Sequence, residues 1–273
     1  MPTLKRAVAD IRARRGTIAL VPTMGALHAG HFSLVRIAKQ RADRVIVSIF
    51  VNPTQFAPNE GLGTYPRTFA SDVAALAELN TDLVWAPAME TMYPTGFATQ
   101  IVPGGPAKVG LEDAFRPHFF AGVATVVTKL FIQCEPDFAL FGEKDYQQLK
   151  VVTQLARDLG LKTRIVAAPI VRELDGLAQS SRNRLLAPAE RAAAPALYSV
   201  LKGCAERIAA GGPLEGVLDE GRAAITRAGF ALDYLEARHA ETLGRLAAPI
   251  GEPIRLLVAA RIGKTRLIDN VAV

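Results

Sequence analysis

The chain has 273 residues, half of them hydrophobic, which is enough to bury a sizeable core in one domain or two and excludes a disordered polymer. Its formal charge is +6 and its pI about 9.5, yet basic residues are scattered among acids with no basic stripe or interleaved aromatics, a pattern that suits small anionic ligands and not nucleic acid. Two isolated cysteines exclude a disulfide framework, and no apolar run approaches a membrane span, so a cytoplasmic protein with no membrane partner is expected.

Residues 3–15 mix Lys5, Arg6, Asp10, Arg12, Arg14 and Arg15 with spaced apolar positions, which predicts an amphipathic helix and lacks the continuous apolar core of a secretory signal. A buried strand is expected over 18–21 and a helix over 32–42. Between them runs Val21-Pro22-Thr23-Met24-Gly25-Ala26-Leu27-His28-Ala29-Gly30-His31, a glycine-bearing turn whose amides face an anion at the start of a helix. His28 and His31 stand three residues apart and can reach one phosphate chain as donors. Histidines at a core edge show the same spacing, whereas a zinc site lacks its third and fourth ligands, since neither Cys134 nor Cys204 lies in a metal-binding spacing.

Further strands are expected over 44–50, 83–86, 138–141 and 162–167, with helices over 69–79, 122–134 and 146–159. This alternation predicts an α/β fold, a parallel sheet with helices on both faces and ligands at the carboxyl ends of its strands. Asn52-Pro53-Thr54-Gln55 follows the second strand and Gly142-Glu143-Lys144-Asp145 the fourth. Lys144 can clamp phosphate as a mobile point charge, while Asp145 either accepts from a ribose hydroxyl or caps the following helix. The amides of Asn52, Gln55 and Gln148 suit hydroxyls and carboxylates, or serve only as turn and surface residues.

At 171–188 the chain becomes a polar loop that contains Ser180-Ser181-Arg182, either a phosphate-gathering lid or an ordinary linker. Alanine-rich helical stretches over 189–210 and 215–228, then strands over 231–237, 254–260 and 265–270, predict a second domain, so the division falls at 1–170 and 171–273. There is no Gly-x-Ser-x-Gly elbow and no Walker A ending, which leaves positioning and electrostatics to carry any catalysis.

Together these segments resemble the pantothenate synthetases, AMP-forming ligases that join pantoate to β-alanine. The resemblance runs through the histidine turn, Ser48-Ile49-Phe50-Val51-Asn52-Pro53-Thr54-Gln55-Phe56, Tyr65-Pro66-Arg67-Thr68, Phe141-Gly142-Glu143-Lys144-Asp145-Tyr146-Gln147-Gln148, Ser180-Ser181-Arg182-Asn183-Arg184 and the ending Ala260-Arg261-Ile262-Gly263-Lys264-Thr265-Arg266-Leu267-Ile268-Asp269-Asn270. It implies a Rossmann-like first domain, a smaller C-terminal α/β lid and a homodimer. Met24, Gly25, Ala26, Leu27, His28, Ala29, Gly30 and His31 would line the ATP site, together with Gly142, Glu143, Lys144, Asp145, Val171, Gln179, Ser180, Ser181 and Arg182. His31, His28, Lys144 and Arg182 would be catalytic, Gln55 and Gln148 would hold pantoate with Asn52 beside them, and Mg²⁺ would ride on the phosphates with Asp72 in its outer shell.

The implied chemistry passes through a pantoyl adenylate with release of pyrophosphate, then of AMP. Two positions depart from the family pattern, Gln179 for Met and Phe119 for His. Two other readings are a nucleotidyltransferase or ligase of the same superfamily acting on another small acid and a basic binding module whose ATP site has lost catalysis.

Overall fold

The computed structural model describes residues 1–57, 62–247 and 251–273. Its chain divides into two compact units, Met1–Glu143 with Gln148–Pro169, and Lys144–Gln147 with Ile170–Val273.

The first unit begins with helix α1 (Pro2–Ala13) and builds a five-stranded sheet from β1 (Ile18–Thr23), β2 (Arg44–Ile49), β3 (Leu83–Trp85), β4 (Phe138–Gly142) and β5 (Arg164–Ala168). The strand order is β3-β2-β1-β4-β5 and every pairing is parallel. The connecting helices are α2 (Ala29–Lys39), α3 (Phe69–Glu78), the short α4 (Met89–Met92) and α5 (Glu112–Phe115), α6 (Phe119–Cys134) and α7 (Tyr146–Asp158). Ala19 and Val21 of β1 pack with Leu34 and Val35 of α2 and Leu76 of α3. Alternation sends Ile18 and Leu20 to the opposite face, where they are fully buried and α6 lies against β1. Helices therefore cover both faces, as the apolar runs of β1 and β2 require. From β1 the chain winds outward one way to β2 and β3, then the other way to β4 and β5. The crevice between β1 and β4 is thus the switch point at which ligands of such Rossmann-like sheets bind.

Pro22 is tolerated in this central strand because β4 pairs with β1 only at Ala19 and Leu20, so the ladder on that side has ended before the missing N–H. The expected helix at 32 begins at Ala29, since His28 caps it, and the one expected at 122 begins at Phe119, soon after the break at Pro117.

The second unit is an α/β layer of its own. An antiparallel sheet of β6 (Ala231–His239), β7 (Ile254–Ile262) and β8 (Thr265–Ala272) carries α9 (Ala196–Ala209) and α10 (Leu214–Arg227) around a core that includes Leu197, Leu201, Leu218, Ile225, Leu256 and Val258. The alanine-rich stretch expected over 189–210 is two helices, α8 (Pro188–Ala193) and α9, because Pro195 has no N–H to continue the first. At Gly221 a Cβ would meet the Cys204 sulfur at 2.7 Å and Leu235 Cδ2 at 2.8 Å, so glycine lets α10 approach both.

Both cysteines are buried and free. Burial pushes the Cys134 thiol up to about 12, and it also raises that of Cys204. A thiol-specific reagent at pH 8 is expected to titrate no cysteine in the native protein and two after denaturation; rapid labelling of either in the native state would contradict this core.

Candidate functional site

Beyond β1 the backbone turns left-handed at Gly25 (φ 82°) and Ala26 (φ 50°). Alanine in that region costs about 1 kcal/mol, so something must hold it. Asp72, on the first turn of α3 and 4% exposed, supplies the hold: its carboxylate accepts from Ala26 N and Leu27 N, both at 2.9 Å, and from the Thr68 hydroxyl at 3.1 Å. Gly25 is needed as well, because a Cβ there would stand 3.2 Å from the Asp72 carboxylate. Thr23 completes the turn, with its hydroxyl donating to Ser48 O at 2.8 Å and accepting from Gly25 N at 3.2 Å.

The turn delivers His28 to the N-cap of α2. His28 Nδ1 accepts from Gly30 N at 3.2 Å, and His31 Nδ1 accepts from His28 N at 3.3 Å, a reciprocal cap made by two imidazoles. A neutral ring that accepts at Nδ1 carries its proton on Nε2. The two rings, 4.1 Å apart by centroid, are therefore both Nε2–H donors at the amino end of a helix, where an anion is favoured. Met24 and Gly30 are partly buried in this turn and Ala29 is exposed.

After β2, Asn52 is 1% exposed and its amide is spent within the protein. Nδ2 donates to Gln55 Oε1 at 2.9 Å and Gly122 O at 3.2 Å, while Oδ1 accepts from Tyr93 at 2.8 Å and Thr54 at 3.0 Å. Its place is under Gln55, whose carbonyl end it fixes. No acceptor among the described residues takes the Gln55 NH₂, which is left to donate to a ligand. Burial raises the Tyr93 phenol above its ordinary pKa, so it remains a donor to Asn52.

Three positions under this turn have no motif-like sequence signal. At Gly122 a Cβ would fall 2.3 Å from Thr54 O, so only glycine lets α6 meet the turn at Pro53–Gln55. Arg116 is buried, donates to Gln55 O at 3.0 Å, lies 3.8 Å from Glu112 and stacks 3.8 Å above the Phe119 ring. The third is Tyr93. Phe119 therefore has a packing role under that guanidinium.

In the second unit, a small surface pocket is lined by Lys144, Ser180, Arg182, Asn183, Arg266 and Asp269, among others. Ser180 Oγ caps the following turn by accepting from Arg182 N at 3.2 Å. Arg266 is paired with Asp233 at 2.6 Å and Asp269 with Arg172 at 2.6 Å. Among the described residues the Lys144 ammonium has one ion-pair partner, Asp145 at 3.7 Å, and the Arg182 side chain has no ion pair. Two incompletely neutralised cations make the cavity attractive to an anion. Val171 and Gln179 close the neighbouring hairpin, with Gln179 N donating to Val171 O at 2.9 Å. Gly142 ends β4, Glu143 follows it, Ser181 is buried in the capped turn, and Gln148 is partly buried in the first turn of α7.

The histidine turn and the Asn52–Gln55 turn are thus each assembled in the first unit, and Lys144, Ser180 and Arg182 line one cavity in the second. A family model described as pantoate-beta-alanine ligase matches residues 1–272. Proteins described as pantothenate synthetase from Rhodopseudomonas palustris and from a Bradyrhizobium strain are 62% and 63% identical over all 273 residues, which cover 96% of each relative. The crystal structure of pantothenate synthetase from Thermus thermophilus is similar with a TM-score of 0.91 at 46% identity, over 97% of this chain and 96% of that one. A pantoate-beta-alanine ligase from Francisella tularensis, complexed with beta-gamma ATP and beta-alanine, has a TM-score of 0.82 at 36% identity, over 98% and 95% of the two chains.

The hold of Asp72 on the turn can be measured apart from chemistry. Asp72→Asn replaces an acceptor by an NH₂ that faces an amide N–H, and is expected to cost about 2–3 kcal/mol. This should appear as a fall in the thermal midpoint of several degrees. An unchanged midpoint would show that the turn stands without the carboxylate.

Proposed function

The chain belongs to the pantoate–β-alanine ligase family, and from that premise we propose that the polar residues of each unit serve the ATP-dependent condensation of pantoate with β-alanine. The ligation itself follows from family membership along the whole chain. The residue roles rest above all on one observation: both histidines spend Nδ1 on backbone amides, which makes them a fixed pair of Nε2–H donors at a helix amino terminus.

In the proposed first step a pantoate carboxylate oxygen attacks the α-phosphorus of ATP in line. The new O–P bond forms as the bond to the bridging oxygen breaks, and pyrophosphate leaves with that electron pair. Lys144 and Arg182 stabilise the charge gathering on the phosphates, with His28 and His31 as hydrogen-bond donors. Met24 to Leu27, Ala29 and Gly30 provide the turn around the nucleotide, and Gly142, Glu143, Asp145, Val171, Gln179, Ser180 and Ser181 make the remaining ATP contacts. Gln55 presents its NH₂ to pantoate, Gln148 is its partner amide, and Asn52 serves by fixing Gln55.

In the second step the neutral amine of β-alanine attacks the acyl carbon of the pantoyl adenylate. The C–N bond forms, AMP departs with the acyl oxygen's electron pair, and the ammonium loses its proton. Water competes for the same carbon, so residues 171–273 are assigned as a lid and 1–170 as the ATP- and pantoate-binding domain.

Asp72 accepts two amides and a hydroxyl, and among the described residues no group of three His, Cys, Asp or Glu side chains can hold a metal. Asp72 is therefore assigned to the turn and not to the ion's outer shell, and Mg²⁺ is proposed only as carried by the ATP phosphates. Among the described residues no helix is long and apolar enough to cross a membrane. A cytoplasmic homodimer is the proposed working form.

Pantoate-dependent exchange of labelled pyrophosphate into ATP, without β-alanine, isolates the first step. Exchange is expected in the native protein, with AMP released once β-alanine is added. Lys144→Ala should slow exchange by about two to three orders of magnitude, the range for loss of one charge-stabilising group. Exchange at the native rate would remove Lys144 from the chemistry.

A further inference from the structure

Lys144 carries its charge on a four-carbon stem, so what fixes the reach of its ammonium is the position of its own backbone. That backbone lies two residues beyond the end of β4 of the first unit, yet Lys144–Gln147 packs as part of the second. One of its contacts there comes from β8. Asn270 is 2% exposed, and its Nδ2 donates to Lys144 O at 3.0 Å.

Asn270 is itself tightly held. Its Oδ1 accepts from Arg255 Nε on β7 at 2.7 Å, and the Arg255 guanidinium lies 4.2 Å above the ring of Tyr146, two residues beyond Lys144. Tyr146 in turn donates its hydroxyl to Ala240 O at 3.0 Å. On the other side, Asn270 N donates to Asp269 Oδ1 at 2.7 Å. The Asp269 carboxylate is gripped by both terminal nitrogens of Arg172, at 2.6 and 2.9 Å. The amide therefore meets Lys144 with its oxygen already committed, which settles its orientation and leaves the NH₂ for the lysine carbonyl. Both partners are buried or half-buried, so a broken bond here is not replaced at no cost by water.

We propose that Asn270 is a positioning residue for the adenylation step, holding the Lys144 backbone so that the ammonium meets the phosphates at a fixed place. The inference rests on the reading of Lys144 as a phosphate-stabilising group. It concerns kcat and not ground-state affinity, because a lysine on a loosened backbone can still reach bound ATP but spends less time where charge develops.

Asn270→Asp tests it most directly, since the carboxylate keeps an acceptor for Arg255 and loses the donor to Lys144. Asn270→Ser, smaller and uncharged, is measured beside it, so that unfolding of one variant leaves the comparison intact. In pantoate-dependent pyrophosphate exchange, kcat is expected to fall about 10- to 100-fold with KM for ATP within about 3-fold of the native value. The same substitutions in a Lys144→Ala background should change the residual rate by less than about 2-fold, because the residue they act through is gone. A native kcat in the Asn270 variants, or an equal loss with and without the lysine, would overturn the inference. Should Lys144→Ala alone exchange at the native rate, the premise fails and the positioning role with it, a result distinct from additivity.

Discussion

The carboxylate of Asp72 is the constraint on which the first unit's chemistry depends. A left-handed Gly25–Ala26 pair is unfavourable on its own account, and it persists because two consecutive amides, Ala26 and Leu27, are pinned by one buried acid from a helix 45 residues further along. Everything beyond the turn inherits that geometry. His28 arrives at the N-cap of α2 in an extended conformation, and the cap then determines which nitrogen of each histidine bears the proton. One carboxylate thus sets backbone shape, helix start and tautomer in sequence.

The same economy governs the amide turn after β2. Asn52 makes four hydrogen bonds within the protein and has little left for a ligand, whereas Gln55, held by its oxygen, has donors to offer. Arg116 holds the backbone of Gln55 from beneath, and its stack on Phe119 gives that aromatic residue a defined place. Gly122 acts by what it lacks, since any side chain there would collide with the Thr54 carbonyl. In the second unit a comparable chain of contacts runs from Arg172 through Asp269 and Asn270 to the Lys144 carbonyl.

Local pattern carried much of this protein. The apolar runs of β1, β2 and β4 could only be strands buried on both sides, and the helical spacings between them made the sheet parallel. Segment ends were less legible where a cap or a proline intervened, as at His28 and Pro195. The histidine turn, Gln55, Lys144 and Ser180 to Arg182 stood out because their residue types are unusual for the places where the strands end and the polar loop begins. Asp72 was visible as an acid on a helix, but its partners lay too far away in sequence for its task to be read.

Sequence by itself determined the alternation of strands and helices, the turns at the strand ends and the identity of the polar groups, because periodicity and turn chemistry are local properties of the chain. Tertiary structure alone decided which groups are already spent and which are left to act. Asn52, Asp72, Asn270 and Gly122 owe their roles to partners 45 to 126 residues away, and hydrogen bonds and close approaches over such separations exist only after the chain has folded.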